Sequence, residues 1–554
     1  MSSSVLELAS ELPSRAIILG LLLFLTIRAA LRRWGDIVRQ LDGPEAQSWL
    51  YGNMLQLHLP PVYGHHEFKW QERYGPVYRF AGCFGQTRLM LSDPVALTYI
   101  LKRPAFVHGP TIDNIHYMLY GPRAVITKTG AQILYFLPRL LSMELTLGDA
   151  HRKLRSVLNE GFTPSAVRGY QSILEEIAAN LADKWEELAA RNIEGQSEPL
   201  NVSFDLSIAT LDAISRAILG RTTEQLGEKF MQSNFAVMAL SSAQSRRAVL
   251  TNGIECHLPT PVRRLMIHLP NEAHRIIATA RGYARQLGDE LVEEKLAGKR
   301  SGVDVAAADF YGRLVAGKDD AQELSKEDIA GQTGVILIAG QDTTANATAF
   351  ALYHLSKDPE LQNALREEIA TTLAAPRTSR TLVYDSMPLL NATLKESLRM
   401  YPAETMTDRT ATRDTVIPLS QPVTTPTGHV LDHLAIRRGQ IVTVNIGSYQ
   451  RQTQRWGSDP HVFRPGRWLD GSVVSGEAVG PYANLLSFLS GTHMCLGWRF
   501  AVLELQVLLC TLVGKFSFSL SENGDEPIPT WRTTVIPVRA DGKKGAMLRV
   551  RRVL

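Results

Sequence analysis

The stretch Phe488-Leu-Ser-Gly491-Thr-His493-Met-Cys495-Leu-Gly497, followed by a mostly apolar run from Trp498 to Val513, is the most distinctive part of this sequence. The glycines on both sides of Cys495 let the backbone turn tightly around the sulfur. The apolar run predicts a helix whose N-terminal amides point towards that sulfur, where they would stabilise a thiolate. We therefore interpret Cys495 as the cysteine that carries chemistry, against the alternative of a buried structural cysteine at a helix start.

The composition indicates one large folded protein. The chain has 554 residues, of which 45% are hydrophobic, enough to bury a sizeable core. Lysine and arginine number 59 and aspartate and glutamate 55, and the small net charge of +4 argues against a nucleic-acid binder. The four cysteines are too few and too scattered for a disulfide framework or a CxxC zinc site. Because no linker-like segment follows residue 45, we expect a single catalytic unit.

An apolar segment near the N-terminus predicts a membrane anchor. Ala16 to Leu31 would extend about 24 Å as a helix, somewhat less than a hydrocarbon core of about 30 Å. Most of the positive charge follows the apolar run, which is the reverse of a secretory signal and places the rest of the protein in the cytosol. We predict a single-pass anchor in residues 1–35 and a catalytic domain in residues 36–554. A buried or interfacial helix and a cleaved signal are the alternatives.

The periodicity of the remaining chain predicts a mainly α protein with small β-sheets, an α+β fold. Two β-type runs, Val77–Ala81 and Thr87–Leu91, flank a glycine-containing turn. Helical spacing dominates from about Pro94 to Met400, including the segments Tyr170–Ala190, Ala273–Leu296 and Pro359–Leu373. Strand-like segments return around Ala411–Ile417 and Gln440–Val444.

A second feature is Ala339-Gly-Gln-Asp342-Thr343-Thr344, which lies inside the apolar helical run Val335–Leu355. Glycine and paired threonines weaken a helix, so we expect a local bulge or kink. A carboxylate beside a hydroxyl in an otherwise apolar helix suggests a proton relay at a buried site. A helix cap or a satisfied polar pair in the core explains these residues equally well.

The third and fourth features are the pair Glu396-Ser-Leu-Arg399 and the loop Phe463-Arg-Pro-Gly-Arg-Trp468. A carboxylate and a guanidinium at i and i+3 lie on one helical face and can pair. Either Arg464 or Arg467 could complete a buried network with them. Taken alone, the pair is typical of a solvated surface and the loop of an ordinary surface loop.

Together, in this order and at these separations, the four motifs resemble the cytochromes P450, the haem-thiolate monooxygenases, and in particular their membrane-bound fungal members. The resemblance covers residues 40–554 and implies the cytochrome P450 fold with haem b as cofactor. It implies that Cys495 is the axial thiolate ligand of the iron, and that Asp342 and Thr343 are the acid–alcohol pair that delivers protons during oxygen activation. It also implies a structural triad that supports the haem-binding core, formed by Glu396, Arg399 and Arg467.

The resemblance implies further cofactor-binding residues. His151-Arg-Lys-Leu-Arg155 is similar to the family pattern Trp-x-x-x-Arg, whose arginine binds a haem propionate. Arg155 keeps the guanidinium, whereas His151 replaces the tryptophan. Arg409 is similar to the second propionate-binding arginine. His493 stands where the family usually has arginine, and an imidazole donates to a propionate more weakly and in a pH-dependent way.

The resemblance also implies the partners. The chain has no flavin or nicotinamide fingerprint of its own, so electrons would come from NADPH through a separate membrane-bound reductase. A location in the endoplasmic reticulum membrane, with a cytosolic catalytic domain, follows from the anchor. The substrate cavity would lie beside Ile336, Ile338 and Ala339. By family analogy it would be lined by Pro110–Leu147, Phe235–Leu269 and Ala403–Met406.

Those lining stretches are rich in apolar residues and poor in acidic groups, which favours an apolar substrate. We expect hydroxylation of a terpenoid or another secondary metabolite, with detoxification of foreign aromatics as the alternative. Two other classes remain, a haem-thiolate isomerase or dehydratase that needs neither O2 nor a reductase, and a non-catalytic haem- or lipid-binding membrane protein. The pair Asp342–Thr343 counts against the isomerase, because such enzymes usually lose it.

Overall fold

The computed structural model describes residues 36–553 except 129–140, 193–194, 267, 269–270, 303–308, 317–323, 376–382, 475, 477 and 522–525, and without the side chains of 141–149. The predicted anchor in residues 1–35 lies outside the described residues. In the part of the chain that is described, none of the helices has both the length and the apolar character needed to cross a bilayer.

Helices make up most of the described chain. Their bounds are α1 (Met54–His58), α2 (Glu67–Tyr74), α3 (Pro94–Lys102), α4 (Pro110–Tyr120), α5 (Leu141–Asn159), α6 (Pro164–Gly169), α7 (Gln171–Ala190), α8 (Val202–Ile214), α9 (Thr223–Leu226), α10 (Glu228–Ser242), α11 (Arg246–Glu255), α12 (Thr260–Met266), α13 (Glu272–Arg300), α14 (Phe310–Ala316), α15 (Lys326–Ala330), α16 (Thr333–Lys357), α17 (Pro359–Ala374), α18 (Pro388–Met400), α19 (Ile446–Tyr449), α20 (Thr453–Trp456) and α21 (Trp498–Lys515).

The strands form small sheets, as predicted for an α+β protein. Their bounds are β1 (Val77–Ala81), β2 (Thr87–Leu91), β3 (Phe106–His108), β4 (Leu200–Asn201), β5 (Met406–Ala411), β6 (Thr415–Thr424), β7 (Val430–Ile436), β8 (Ile441–Asn445), β9 (Phe516–Leu520), β10 (Ile528–Trp531), β11 (Val535–Val538) and β12 (Met547–Arg552). The largest described sheet has the order β1-β2-β8-β5-β3, with β2 and β8 parallel and the other pairs antiparallel.

The predicted segments are confirmed with small changes at their ends. Strands β1 and β2 have the predicted bounds, and the long predicted helices correspond to α7, α13 and α17. The predicted strand Ala411–Ile417 is instead divided between β5 and β6. The division arises because the backbone N–H of Thr412 donates to Ala105 and the Asp414 carboxylate accepts from the backbone of Arg438, which bends the chain into a turn.

Helix α16 runs through the middle of the protein and packs against α8, α13, α18 and α21. It is a continuous α-helix, so of the bulge or kink expected in the segment Ala339–Thr344 the bulge is wrong. The glycine instead allows close packing, because a Cβ at Gly340 would lie 2.6 Å from Cγ1 of Ile214 on α8. The largest apolar core surrounds this helix, and a second lies against the five-stranded sheet.

We predict that Gly340→Ala lowers the free energy of unfolding by about 1–3 kcal/mol, because the added methyl group overpacks the α8–α16 contact. Denaturant unfolding of the full chain measures the change. Gly282→Ala in α13 is the matched control, since no atom lies within 4 Å of its added Cβ. The control should raise stability by about 0.5–1 kcal/mol through helix propensity. Equal effects of the two substitutions would contradict the packing role of Gly340.

Candidate active site

The Cys495 loop is held by backbone contacts. The N–H of Cys495 donates to the carbonyl of Phe488 at 2.8 Å, and the loop leads directly into α21. Gly491 has a φ of +70°, and a Cβ there would lie 1.9 Å from the carbonyl oxygen of Leu101 at the end of α3. Only glycine fits this close approach, so its place in the motif has a steric cause.

The Cys495 thiol is accessible to solvent, yet the surrounding protein raises its pKa to about 11. A hydrogen bond from the Gly497 backbone and the charge of Arg155 oppose this shift but do not overcome burial. The backbone amide of Gly497 favours the thiolate, in the direction expected from the sequence, but burial has the larger effect on the pKa. An accessible sulfur enclosed by protein faces an internal space, and a metal ion there would displace the proton.

Two guanidinium groups lie near the Cys495 loop, half-buried Arg155 and buried Arg409. Arg155 on α5 donates to the carbonyl of Met494, one residue before Cys495. Arg409 on β5 is 2% exposed, and burial lowers its pKa to about 10. Its hydrogen bonds go to Thr407, the Asp408 carbonyl and His108.

Four imidazoles line the pocket between these guanidinium groups. The ring of His493 lies 4.4 Å from that of His108 and 5.1 Å from that of His151, and His108 lies 5.2 Å from His116. Burial lowers the pKa of His116 and of His151 to about 4, and burial with the charge of Arg409 lowers that of His108 and His493 well below the usual value. Sequence reasoning identified His151 and His493 but missed His108 and His116, because neither lies in a motif.

This donor set fits a haem. The thiol can ligate iron, and the guanidinium and imidazole groups can bind the two carboxylates of the porphyrin. In the described part of the chain, no carboxylate forms an ion pair with Arg409, and Nε2 of His108 and Nδ1 of His116 are buried without hydrogen-bond partners. Unpaired buried imidazole nitrogens indicate a ligand that supplies their hydrogen-bond partners.

The acidic residue of the predicted triad, Glu396 on α18, is at the centre of a buried network. Its carboxylate accepts two hydrogen bonds of 2.8 Å from Arg399, one of 3.0 Å from Arg467 and one of 2.9 Å from the indole of Trp468. Burial raises the pKa of Glu396, but the hydrogen bonds and charge of Arg399 outweigh it, and the pKa lies below its usual value.

The structure also distinguishes the two arginines between which the sequence did not decide. The side chain of Arg467 is 1% exposed and reaches Glu396, whereas the side chain of Arg464 is 40% exposed and pairs with Asp459 and Asp470. Arg464 contributes its backbone N–H instead, at 2.9 Å from Glu396. The motif alone does not tell these roles apart, because both residues are arginines in the same loop.

Asp342 and Thr343 lie next to each other on α16 but face different partners. The Asp342 carboxylate accepts from the hydroxyl of Ser207 at 2.8 Å and pairs with Lys544 at 2.6 Å. The hydroxyl of Thr343 donates to the carbonyl of Ala339 one turn earlier, at 3.1 Å. Sequence reasoning missed Ser207 and Lys544, since both are more than a hundred residues from Asp342 and neither has a local signal.

One stripe of α16 faces open space although most of the helix is buried. Ile336, Ala339 and Thr343 recur at helical spacing; Ala339 is exposed and the other two are half-buried. Their neighbours Leu337, Asp342 and Thr344 are buried. An accessible stripe on a central helix indicates an internal cavity, and Thr343 lies on its wall.

Comparisons with known proteins match one family over most of the chain. The family model described as Cytochrome P450 matches residues 42–541. Cytochrome P450 monooxygenase 205 of Postia placenta is 28% identical over 526 residues, which is 92% of this chain and 92% of that protein. Cytochrome P450 monooxygenase claU of Ampulloclitocybe clavipes is 27% identical over 543 residues, covering 96% of this chain and 95% of that protein. Cytochrome P450 monooxygenase claO of the same organism is 28% identical over 530 residues, covering 93% of each.

We predict that Arg467→Met costs about 3 kcal/mol or more of unfolding free energy, because it removes one of the charges that neutralise buried Glu396. The matched control, Arg464→Met in the same loop, should change stability by less than about 0.5 kcal/mol, since its side chain lies at the surface. Thermal or denaturant unfolding of the two variants compares the roles. Similar losses in both would mean that the loop as a whole, rather than the buried charge, determines stability.

Proposed function

The chain belongs to the cytochrome P450 family of haem-thiolate monooxygenases, and on that premise we propose that it hydroxylates an apolar small molecule, a terpenoid or a similar secondary metabolite. The enzyme class brings with it haem b and electrons supplied by a reductase. The observation that carries the proposal is the accessible stripe Ile336–Ala339–Thr343, which gives the cavity an apolar wall with a single hydroxyl in its line.

The residues of the pocket have distinct proposed roles. Cys495 would ligate the haem iron through its thiolate, and the haem would supply the oxygen chemistry when bound. Its propionates would be bound by guanidinium and imidazole groups, from Arg155, Arg409, His493 and His151. Glu396, Arg399 and Arg467 stabilise the protein core next to the Cys495 loop.

Proton delivery is assigned to Asp342 and Thr343. Lys544 and Ser207 fix the two oxygens of the Asp342 carboxylate, and Lys544 is itself 23% exposed, so this ion pair connects a buried acid with the surface. The Thr343 hydroxyl lies on the cavity wall and can pass a proton from solvent to a group bound there. Because Lys544 and Ser207 fix the carboxylate of Asp342, it keeps its position while the adjacent Thr343 hydroxyl exchanges protons.

A separate NADPH-dependent reductase is the proposed electron donor. Arg152 and Lys153 on α5 are exposed and lie on the helix that carries Arg155, so they present positive charge near the Cys495 side of the pocket. Such charge suits an acidic partner surface and raises the rate of association. Attachment to the endoplasmic reticulum membrane through residues 1–35, with the catalytic domain in the cytosol, completes the proposal.

We predict that Cys495→Ala abolishes the absorption of the carbon monoxide complex that is typical of reduced thiolate-ligated haem. The reason is the loss of the sulfur ligand. Cys510→Ala on α21 is the matched control, since Cys510 is a buried free thiol outside the pocket loop. Retention of the absorption in Cys495→Ala, or its loss in the control alone, would remove Cys495 from the ligand position.

We predict that Thr343→Ala binds haem normally but diverts electrons from product to hydrogen peroxide by about tenfold or more, because the cavity hydroxyl that passes the proton is gone. The ratio of peroxide to NADPH consumed measures this change. Thr343→Ser keeps a hydroxyl and should stay close to the original ratio. An unchanged product yield in Thr343→Ala would exclude this hydroxyl from the relay.

The substrate class is tested by co-expression with a reductase in a host fed candidate terpenoids and aromatics. Mass spectrometry then searches for products heavier by one oxygen atom. Oxygenated terpenoids support the proposal. Oxygenated products from aromatics alone would indicate a foreign aromatic as the substrate. Rearranged products without added oxygen would indicate an isomerase instead of a monooxygenase.

A further inference from the structure

A pocket of about 400 Å³ lies between α2, the end of α18, the segment between α19 and α20, and β10. It opens to solvent, because the exposed residues Lys69, Glu72 and His461 are among those that line it. In the described part of the chain, its lining residues include none of the candidate active site. A volume of this size is typical of small-molecule sites, so the pocket can hold a ligand of its own.

A buried guanidinium group lines this pocket. Arg451 is 6% exposed, its Nη1 lies 3.2 Å from Nδ1 of His461, and its Nη2 donates to the carbonyl of Met400 at 2.6 Å. These two bonds use two of the five N–H donors of a guanidinium, and the Nε–H is buried without a partner. No carboxylate of the described residues forms an ion pair with Arg451. A buried charge without a counterion is costly, so we infer that an anion from outside the chain supplies it.

A second cation lies on the rim of the pocket. Lys69 on α2 lines it, and within the described ranges Lys69 forms no ion pair. Among the described lining residues, the only carboxylate is that of Glu72, whose Oε1 lies 3.8 Å from Nε2 of His461. With neutral imidazoles, two cations against one carboxylate leave one positive charge. That balance suits a ligand with a single negative charge.

Aromatic rings form much of the wall. The ring of Phe68 lies 5.3 Å from that of Tyr63 and 5.2 Å from that of His461. The guanidinium group of Arg451 lies 5.0 Å from the centre of the Phe68 ring, so the charge and the rings share one end of the pocket. Rings beside a guanidinium group suit a flat apolar body that carries its anionic group at one end.

We propose that this pocket is a second ligand site that binds a small aromatic monocarboxylate, with the carboxylate between Arg451 and Lys69 and the ring against Phe68. A carboxylate matches the planar donors of a guanidinium group, and an aromatic ring matches the wall. The inference goes beyond the proposed function and does not rest on it, since the lining residues take no part in the candidate active site.

The test is a calorimetric titration of the full-length haem-loaded protein. Saturating phenylimidazole ligates the iron and keeps the probes out of the haem cavity. The probes are 2-naphthoate, the neutral 2-naphthalenemethanol, and inorganic phosphate. The variants are Lys69→Gln, Arg451→Lys and Phe68→Leu, and Lys543→Gln is the control, since Lys543 is an exposed lysine outside the pocket.

We expect 2-naphthoate to bind at one site with a dissociation constant below about 1 mM. The alcohol and phosphate should each bind about tenfold more weakly or less, because the alcohol lacks the charge and phosphate lacks the ring. Lys69→Gln should weaken 2-naphthoate by about threefold and leave the alcohol unchanged. Arg451→Lys should weaken it by about tenfold, since lysine has no planar pair of donors. Phe68→Leu should weaken 2-naphthoate and the alcohol alike, and Lys543→Gln should change neither.

Equal binding of 2-naphthoate and its alcohol would overturn the proposal, because the pocket would then be only an apolar hollow. Equal binding of phosphate would overturn it in favour of an adventitious ion only. An unchanged constant for 2-naphthoate in both Lys69→Gln and Arg451→Lys, or no measurable binding to the original protein, would overturn it as well. If Arg451→Lys does not fold, the exposed Lys69→Gln still decides. Failure of the proposed function gives a different result, namely absence of oxygenated products with these constants unaffected.

Discussion

The buried network around Glu396 is the interaction on which the site depends. The buried carboxylate of Glu396 pairs with the buried guanidinium groups of Arg399 and Arg467, and Asp459 pairs with Arg467 as a second carboxylate. Each arginine also donates to backbone carbonyls. The network ties α18 to the segment around residue 460. Gln450 extends the connection, because its amide donates to Leu398 and Arg399 and accepts from the backbone of Leu486. Since Leu486 lies just before the Cys495 loop, these hydrogen bonds connect the charged cluster to the segment that leads into that loop.

The charged groups near Cys495 are arranged differently from those around Glu396. Around Glu396, positive groups pair with a carboxylate of the protein, whereas in the described part of the chain Arg409, which contacts His108, forms no ion pair with a carboxylate. Burial keeps the imidazoles neutral, as the lowered pKa values of His116 and His151 show. In the proposed haem site the guanidinium groups would supply the positive charge for the haem carboxylates. The imidazoles, including those at positions 151 and 493, would then donate hydrogen bonds as neutral groups.

Helix α16 has different surroundings on two of its faces. Gly340 lets α8 approach closely on one face, while Ala339 and Thr343 leave space for a ligand on another. The polar residues of the same segment are distributed accordingly, with Asp342 turned towards Ser207 and Lys544. A helix that is buried on most sides holds this stripe in place, so the cavity wall has a defined shape.

The sequence by itself determined the helices and strands, the motif residues and the family, because periodicity, glycine positions and short spacings are local properties. It did not decide which arginine of the loop reaches Glu396. Both residues are arginines in one short loop, and only the folded backbone determines which side chain points inwards. It also did not reveal Lys544, Ser207 or His108 as neighbours of the site. Only the tertiary structure placed them there, because contacts between distant segments depend on how helices and sheets pack, and no local pattern encodes that packing.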